Sequence, residues 1–261
     1  MSAFKEKYGP VALVTGASSG IGVGFAEELA SRGLDLVLAA RRVDRMEELQ
    51  ARLEAAHGIT VRVIESDLSR AEAPAELAAA VADHDVGLVI SNAGFGAKGW
   101  FEAIDPAFMA DLLMVNCNAP MQLAHAFVPR LKARGKGGLV LTSSVEGLMG
   151  GPFSTAYAAS KALVISLGEG LWGELAGTGV DVLTLCPGAT ESEAAAKQGF
   201  DPSKMQNVMK AREVARLTLD NITNGPTFIS SDHYKATFDM LLSMPRQQAI
   251  MAMAQGMKPE G

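Results

Sequence analysis

Short runs of aliphatic and β-branched residues recur along the chain, separated by longer amphipathic stretches. The strand-like runs are VALVTG (11–16), LDLVLAA (34–40), TVRVIESD (60–67), VGLVIS (86–91), GGLVLTSS (137–144) and VDVLTLCP (180–187). Between them, 21–32, 43–57, 71–84, 105–133 and 153–177 are long enough for helices, and a helix at about 211–223 followed by PTFIS (226–230) predicts one more edge strand. The runs are apolar nearly throughout instead of alternating, as strands buried on both faces require. Regular alternation of strand and helix predicts an α/β fold, a doubly wound parallel sheet with helices on both faces. No linker, charge block or internal repeat divides the chain, so residues 1–261 read as one domain.

Composition narrows the function classes. An apolar content of 48% over 261 residues is ample for one core. The net charge of −6 offers nothing to attract nucleic acid or an anionic membrane. Cys117 and Cys186 each sit inside an apolar run, which predicts buried free thiols in a reducing compartment. The segment MSAFKEKYGPVALV carries no long apolar stretch before the first strand, so neither signal peptide nor membrane anchor is expected, and the expected location is cytoplasmic. No metal is expected.

Candidate chemistry begins with VTGASSGIG (14–22), which fits two motifs. As G-x-S-x-G (Gly16, Ser18, Gly20) it is a nucleophile elbow with Ser18 attacking. As T-G-x-x-x-G-x-G (Thr15, Gly16, Gly20, Gly22) it is a turn between strand and helix that cradles phosphate, with exposed N–H groups and the helix dipole facing the anion. Its place after the first strand favours phosphate, because ligands of doubly wound sheets bind beyond the C-terminal strand ends. No Asp then His follows at strand ends to complete a hydrolase. Ser18 and Ser19 are then scaffold and phosphate or ribose donors, beside Ile21.

The end of the second strand normally carries an acid for the ribose hydroxyls of NAD. Here Ala40 is followed by Arg41 and Arg42. A guanidinium binds a 2′-phosphate in forked geometry, so NADP(H) is preferred over NAD(H) with Arg41 as the expected contact. The alternative is a solvated helix face formed by Arg41, Arg42 and Arg45. Asp67 and Leu68 follow the third strand and Asn92, Ala93 and Gly94 the fourth, all at the ligand-facing edge. Asp67 suits an adenine amino group, or else caps the next helix.

Of the three tyrosines only Tyr157 has a lysine four places on, at Lys161. That spacing puts both on one helix face, where the ammonium favours the phenolate and brings its pKa down toward neutrality. Ser143 and Ser144 end the fifth strand, and a hydroxyl there can orient a substrate oxygen toward the phenol.

TGASSGIG, NAG, a strand-end SS, YAASK and CPG, in this order over about residues 9–230, resemble the short-chain dehydrogenase/reductase family. The resemblance implies a Rossmann-type, mostly parallel seven-stranded sheet and carbonyl–alcohol oxidoreduction with a nicotinamide cofactor. It implies Tyr157 as proton donor or acceptor, Ser144 as the substrate-orienting hydroxyl, Lys161 as ribose binder and phenol activator, and Asn116 as a fourth member holding a water. Pro120, lacking an N–H, independently leaves the Asn116 carbonyl without its usual helical partner. Pro187 and Gly188 resemble the turn beside the nicotinamide. Where the family has Thr four residues after that glycine, this chain has Ser192, with Thr190 close by.

The resemblance places substrate choice in 188–209 and 231–261. The latter holds Met240, Met244, Met251, Met253 and Met257, which suit a hydrophobic pocket roof, a subunit contact or plain core. The expected substrate is a small or medium hydrophobic carbonyl or alcohol, and a homodimer or homotetramer is expected. A cofactor-binding regulator on the same fold is the alternative, and a hydrolase using Ser18 a distant third.

Overall fold

The apolar runs become strands because each must bury both faces. In the computed structural model, which describes residues 2–193 and 207–257, they are β1 (Val11–Thr15), β2 (Asp35–Ala40), β3 (Val61–Glu65), β4 (Val86–Ser91), β5 (Gly137–Thr142) and β6 (Val180–Leu185). PTFIS contributes β7 (Thr227–Phe228). The order is β3-β2-β1-β4-β5-β6-β7 and every pairing is parallel, so the expected mostly parallel sheet is parallel throughout.

Alternate residues of β1 show why the runs do not alternate in polarity. Ala12 and Val14 face a core built by α2 (Gly20–Ser31), α3 (Val43–His57) and a later helix, Ala211–Asp220, through Phe25, Leu29, Met46 and Leu219. Val11 and Leu13 face a second core, where Leu77, Leu123, Phe127 and Val164 pack from the other side. Both cores exclude water from long aliphatic side chains, the main stabilising contribution.

Helices on the second face are α4 (Ala73–Ala80), α5 (Pro106–Leu113), α6 (Ala119–Arg134) and α7 (Thr155–Glu174). The stretch expected as one helix over 105–133 is interrupted by a wide π turn, Met114–Asn118, where the Ala119 N–H reaches back five residues to the Met114 carbonyl. Pro120 follows at once and cannot donate to the Asn116 carbonyl, consistent with a ladder that widens there.

Two features were not visible in the hydrophobic pattern. A short N-terminal helix, α1 (Ala3–Tyr8), precedes β1, with Ser2 as its cap and a buried Tyr8 donating to Asp181 Oδ2 at 2.5 Å. At the C-terminus, after α8 (Ala211–Asp220), come α9 (Asp232–Ser243) and α10 (Arg246–Met257). Phe238, Leu241, Ala249 and Met253 of these helices cover Val145 and Met149, with Met244 and Met257 against them, whereas Met240 and Met251 are exposed. The methionines thus divide between a packed apolar cluster and the surface.

Residues 188–193, 207–209 and 231–257 of the expected substrate-side elements are described, while 194–206 and 258–261 lie outside the described residues. No described helix is long and apolar enough to cross a membrane. Among the described residues, no group of three or more His, Cys, Asp and Glu is placed to hold a metal.

Candidate active site

Sheet order reverses between β1 and β4, and the crevice at such a point opens beyond the C-terminal strand ends. The glycine turn lies there. A Cβ on Gly22 would overlap the Gly16 carbonyl, and one on Gly16, at φ +67°, would stand 2.8 Å from Ala93 Cα. Glycine is therefore required for the turn to close against NAG. Thr15 Oγ1 accepts the N–H groups of Asn92 (3.0 Å) and Ala93 (3.1 Å), and Asn92 Nδ2 donates to the Thr15 carbonyl at 3.1 Å. NAG thus ties β4 to β1.

Ser19 caps α2 without a side-chain hydrogen bond, and no acid occupies the first turn of that helix. Among the described residues no side chain caps the first N–H groups of α2, which suits them to the pyrophosphate of a dinucleotide, so the residues present fit a nicotinamide dinucleotide. Ile21 is half-buried against the core behind the turn. Asp67 accepts from the Ser69 N–H (3.1 Å) and hydroxyl (2.9 Å). Burial opposes its ionisation, but those bonds, with Arg41 and Arg70, hold the carboxyl below its usual range. Leu68 is buried with Val115 and Ala119, near Ala93.

Arg41 is exposed, and its charge bears on Asp67. Arg42 is the one that turns to the glycine loop, donating to Ser18 Oγ at 3.2 and 3.3 Å.

Tyr157 and Lys161 lie four residues apart on α7, with Lys161 Nζ 5.7 Å from the phenol ring centre. Lys161 is 3% exposed and donates to the Thr142 carbonyl at 2.9 Å. Burial brings its pKa down from 10.5 to about 8, against the pull of Cys117 and Cys186. Tyr157 departs from the sequence expectation of a phenol made more acidic. Burial, and then the Glu146 carboxylate, push it above its ordinary value, and a Ser144 side-chain hydrogen bond only partly opposes them. The phenol is consequently held in its protonated, donor form.

The two strand-end serines separate in role. Ser143 donates to the Lys161 carbonyl at 2.7 Å and is spent on anchoring α7. Ser144 accepts the Glu146 N–H at 3.2 Å and keeps its own proton to donate toward Tyr157.

Asn116 sits in the π turn, 1% exposed. Its amide donates to the Phe95 carbonyl (2.9 Å) and Ser160 Oγ (3.0 Å), and its oxygen accepts the Phe95 N–H (3.1 Å). A Cβ on Gly94 would stand 3.0 Å from Lys161 Nζ and 3.1 Å from Asn116 Oδ1, so NAG, the π turn and the lysine meet at one point.

The short chain dehydrogenase family profile matches residues 10–202. The chain belongs to the short-chain dehydrogenase/reductase family. A relative from Clostridium sardiniense described as a 7beta-hydroxysteroid dehydrogenase is 32% identical over 88% of each chain. A short-chain dehydrogenase from Sphingobium yanoikuyae in complex with NADPH superposes with TM-score 0.83 at 34% identity, over 93% of this chain and 95% of that one. A short chain dehydrogenase/reductase from Burkholderia phymatum in complex with NAD superposes with TM-score 0.82 at 28% identity, over 95% and 97%. As a short-chain dehydrogenase/reductase, the chain is an oxidoreductase with a nicotinamide-dinucleotide fold.

The remaining residues of this short-chain dehydrogenase/reductase lie on the β6 side. The Pro187 carbonyl accepts the Val145 N–H at 3.1 Å, tying the turn to the Ser144 segment. Thr190 donates to the Gly188 carbonyl at 3.1 Å, while the Ser192 Cβ stands 3.0 Å from where a Gly20 Cβ would be. Of the two hydroxyl residues, Ser192 is the one against the glycine turn.

Three residues at the site, Glu146, Tyr234 and Glu193, escaped sequence reasoning, and a fourth, Arg42, was named beside Arg41 without its contact. Glu146 pairs with Lys98 at 2.7 Å and bears on Tyr157. The ring of Tyr234, from α9, lies where any Cβ on Gly188 would go. Arg42 and Glu193 are joined at 2.7 Å. Arg42 carried a signal as the second of two arginines ending β2, and Glu146 lies only two residues beyond Ser144, while Tyr234 and Glu193 arrive from distant segments.

Proposed function

We propose that this chain interconverts a carbonyl and an alcohol with NADP(H), acting on a small or medium-sized hydrophobic substrate through Tyr157 as proton donor or acceptor. The single observation that carries it is the convergence of the Ser144 hydroxyl on a protonated Tyr157 beside a buried Lys161.

When bound, the nicotinamide supplies or accepts the hydride. The chain's own groups handle the proton. Tyr157, kept protonated, gives its hydroxyl hydrogen to the oxygen on which negative charge builds. Ser144 donates a second hydrogen bond to that oxygen and orients it. Lys161 holds positive charge up to about pH 8, stabilising the phenolate left behind, and its spare N–H groups suit ribose hydroxyls. Asn116 fixes the loop after β4 against α7 through its side chain, and its main-chain carbonyl, to which Pro120 has no N–H to donate, is suited to hold a water that returns a proton through Lys161.

Preference for NADP(H) is supported by Ala40 in place of an acid, by Arg41, and by Arg42 held against Ser18. A relative described as a steroid dehydrogenase supports a hydrophobic substrate, as does the apolar cover of Val145, Met149, Phe238 and Met253 near Ser144. Tyr157→Phe is expected to lower kcat by about 10²–10⁴-fold while NADPH still binds, the range typical of lost general acid catalysis. The assay is NADPH oxidation against a panel of aldehydes and ketones. Undiminished turnover in that variant refutes the proposal.

A further inference from the structure

Arg42 is clamped from one side by the glycine turn. Its Nε and Nη2 donate to Ser18 Oγ at 3.3 and 3.2 Å, and Nη2 reaches the Ser18 carbonyl at 3.4 Å. Its other edge is engaged by a carboxylate, with Nη1 2.7 Å from Glu193 Oε2. The second oxygen of the same carboxylate takes Arg45 Nη1. One acidic side chain therefore spans two guanidiniums at the start of α3, beyond the end of β2.

Glu193 comes from the opposite bank of the crevice, in the segment after β6. Its approach is set by described residues. Thr190 and Met209 form a parallel bridge, the Glu191 N–H donates to the Met209 carbonyl at 2.9 Å, and the Met209 N–H donates to the Ala189 carbonyl at 3.0 Å. From that foot the chain passes Ser192 over Gly20 and delivers Glu193 to the arginines.

We propose that Glu193 is a built-in competitor for the ribose 2′-phosphate, holding through Arg42 and Arg45 the donors that a phosphate there needs, so that it sets how strongly this site favours NADP(H) over NAD(H). The proposal rests on the NADP(H) assignment above. A carboxylate and a phosphate present the same chemistry to a guanidinium, paired oxygens accepting charge-assisted N–H bonds. Both anions on one arginine pair repel each other, so binding of the 2′-phosphate displaces Glu193. The side chains are 32–44% exposed, so water and salt screen the pairs and the carboxylate yields readily. Glu193 therefore reduces discrimination without abolishing it. NAD(H), with only hydroxyls at that place, leaves the triad intact.

The test is equilibrium binding of NADPH, NADH, 2′,5′-ADP and 5′-ADP to the wild-type chain, Glu193→Gln and Arg42→Ala. Glu193→Gln is expected to tighten NADPH and 2′,5′-ADP by roughly three- to tenfold and to change NADH and 5′-ADP by less than about twofold, as partly exposed pairs allow. The gain is expected to shrink as salt rises. Equal effects on NADPH and NADH would make Glu193 a general tie across the crevice and overturn the proposal, as would unchanged NADPH binding. Arg42→Ala separately tests the underlying assignment. It is expected to weaken NADPH by about tenfold or more relative to NADH, the worth of hydrogen bonds to a charged group. An unchanged ratio there would show that Arg42 does not hold the 2′-phosphate and would overturn the proposal, whereas a wild-type chain that binds NADH as tightly as NADPH removes the NADP(H) assignment itself.

Discussion

Replacing Lys161 with Met is expected to stabilise the fold while silencing the site. The ammonium is 3% exposed, and its pKa falls from 10.5 to about 8 because burial disfavours the charged form. That difference of 2.5 corresponds to about 3.5 kcal/mol at about 1.4 kcal/mol for each pKa unit, a cost the folded state bears at pH 7. Met removes this cost and forfeits the charge-assisted hydrogen bond to the Thr142 carbonyl, about 1.5–3 kcal/mol, leaving a net gain of roughly 1 kcal/mol. For a domain of this size the gain corresponds to a Tm higher by about 3 °C. The pH dependence fixes the cause. Between about pH 8 and 10.5 the unfolded chain binds this proton and the folded chain does not, so wild-type stability rises with pH across that window and the penalty is complete only below it. Thermal melts of both chains at pH 7 and pH 10 measure the effect, and the gap is expected to narrow at the higher pH. A variant less stable than wild type at pH 7, or a gap indifferent to pH, refutes the reasoning.

Two further outcomes test the surroundings of the phenol. Glu146→Gln removes a charge that pushes Tyr157 upward and frees Lys98 beside it, so alcohol oxidation, which needs the phenolate, is expected to rise at lower pH than in wild type; a pH–rate profile that does not move would show that Glu146 has no bearing on the phenol. Gly188→Ala drives a methyl group into the Tyr234 ring and is expected to lose roughly 1–3 kcal/mol of stability, as overpacking does, with most of the loss restored in the double variant carrying Tyr234→Ala. Additive losses in denaturant melts would show that the ring is not what confines Gly188.

Much of this protein is legible in its sequence because the deciding physics is local or periodic. Apolar runs such as VALVT and VGLVIS bury both faces and must become central parallel strands, as β1 and β4 do. Gly16 and Gly22 announce a close-packed turn, and the spacing of Tyr157 and Lys161 puts them on one helical face wherever the helix lies. Pro120 announced a disturbance in its helix, though not that it would be a π turn. Tertiary structure decided the rest. Whether Arg41 or Arg42 faces the glycine turn depends on how β2 ends against Ser18, twenty-four residues earlier. Glu146 acts on Tyr157, Tyr234 covers Gly188 and Glu193 reaches Arg42 across 151 positions of chain. Even the sense of the Tyr157 shift follows from tertiary structure, since burial in the assembled core, with the Glu146 carboxylate, raises the phenol more than the Ser144 hydrogen bond lowers it. Backbone periodicity is written into neighbouring residues, whereas burial and the meeting of distant charges exist only once the chain has folded.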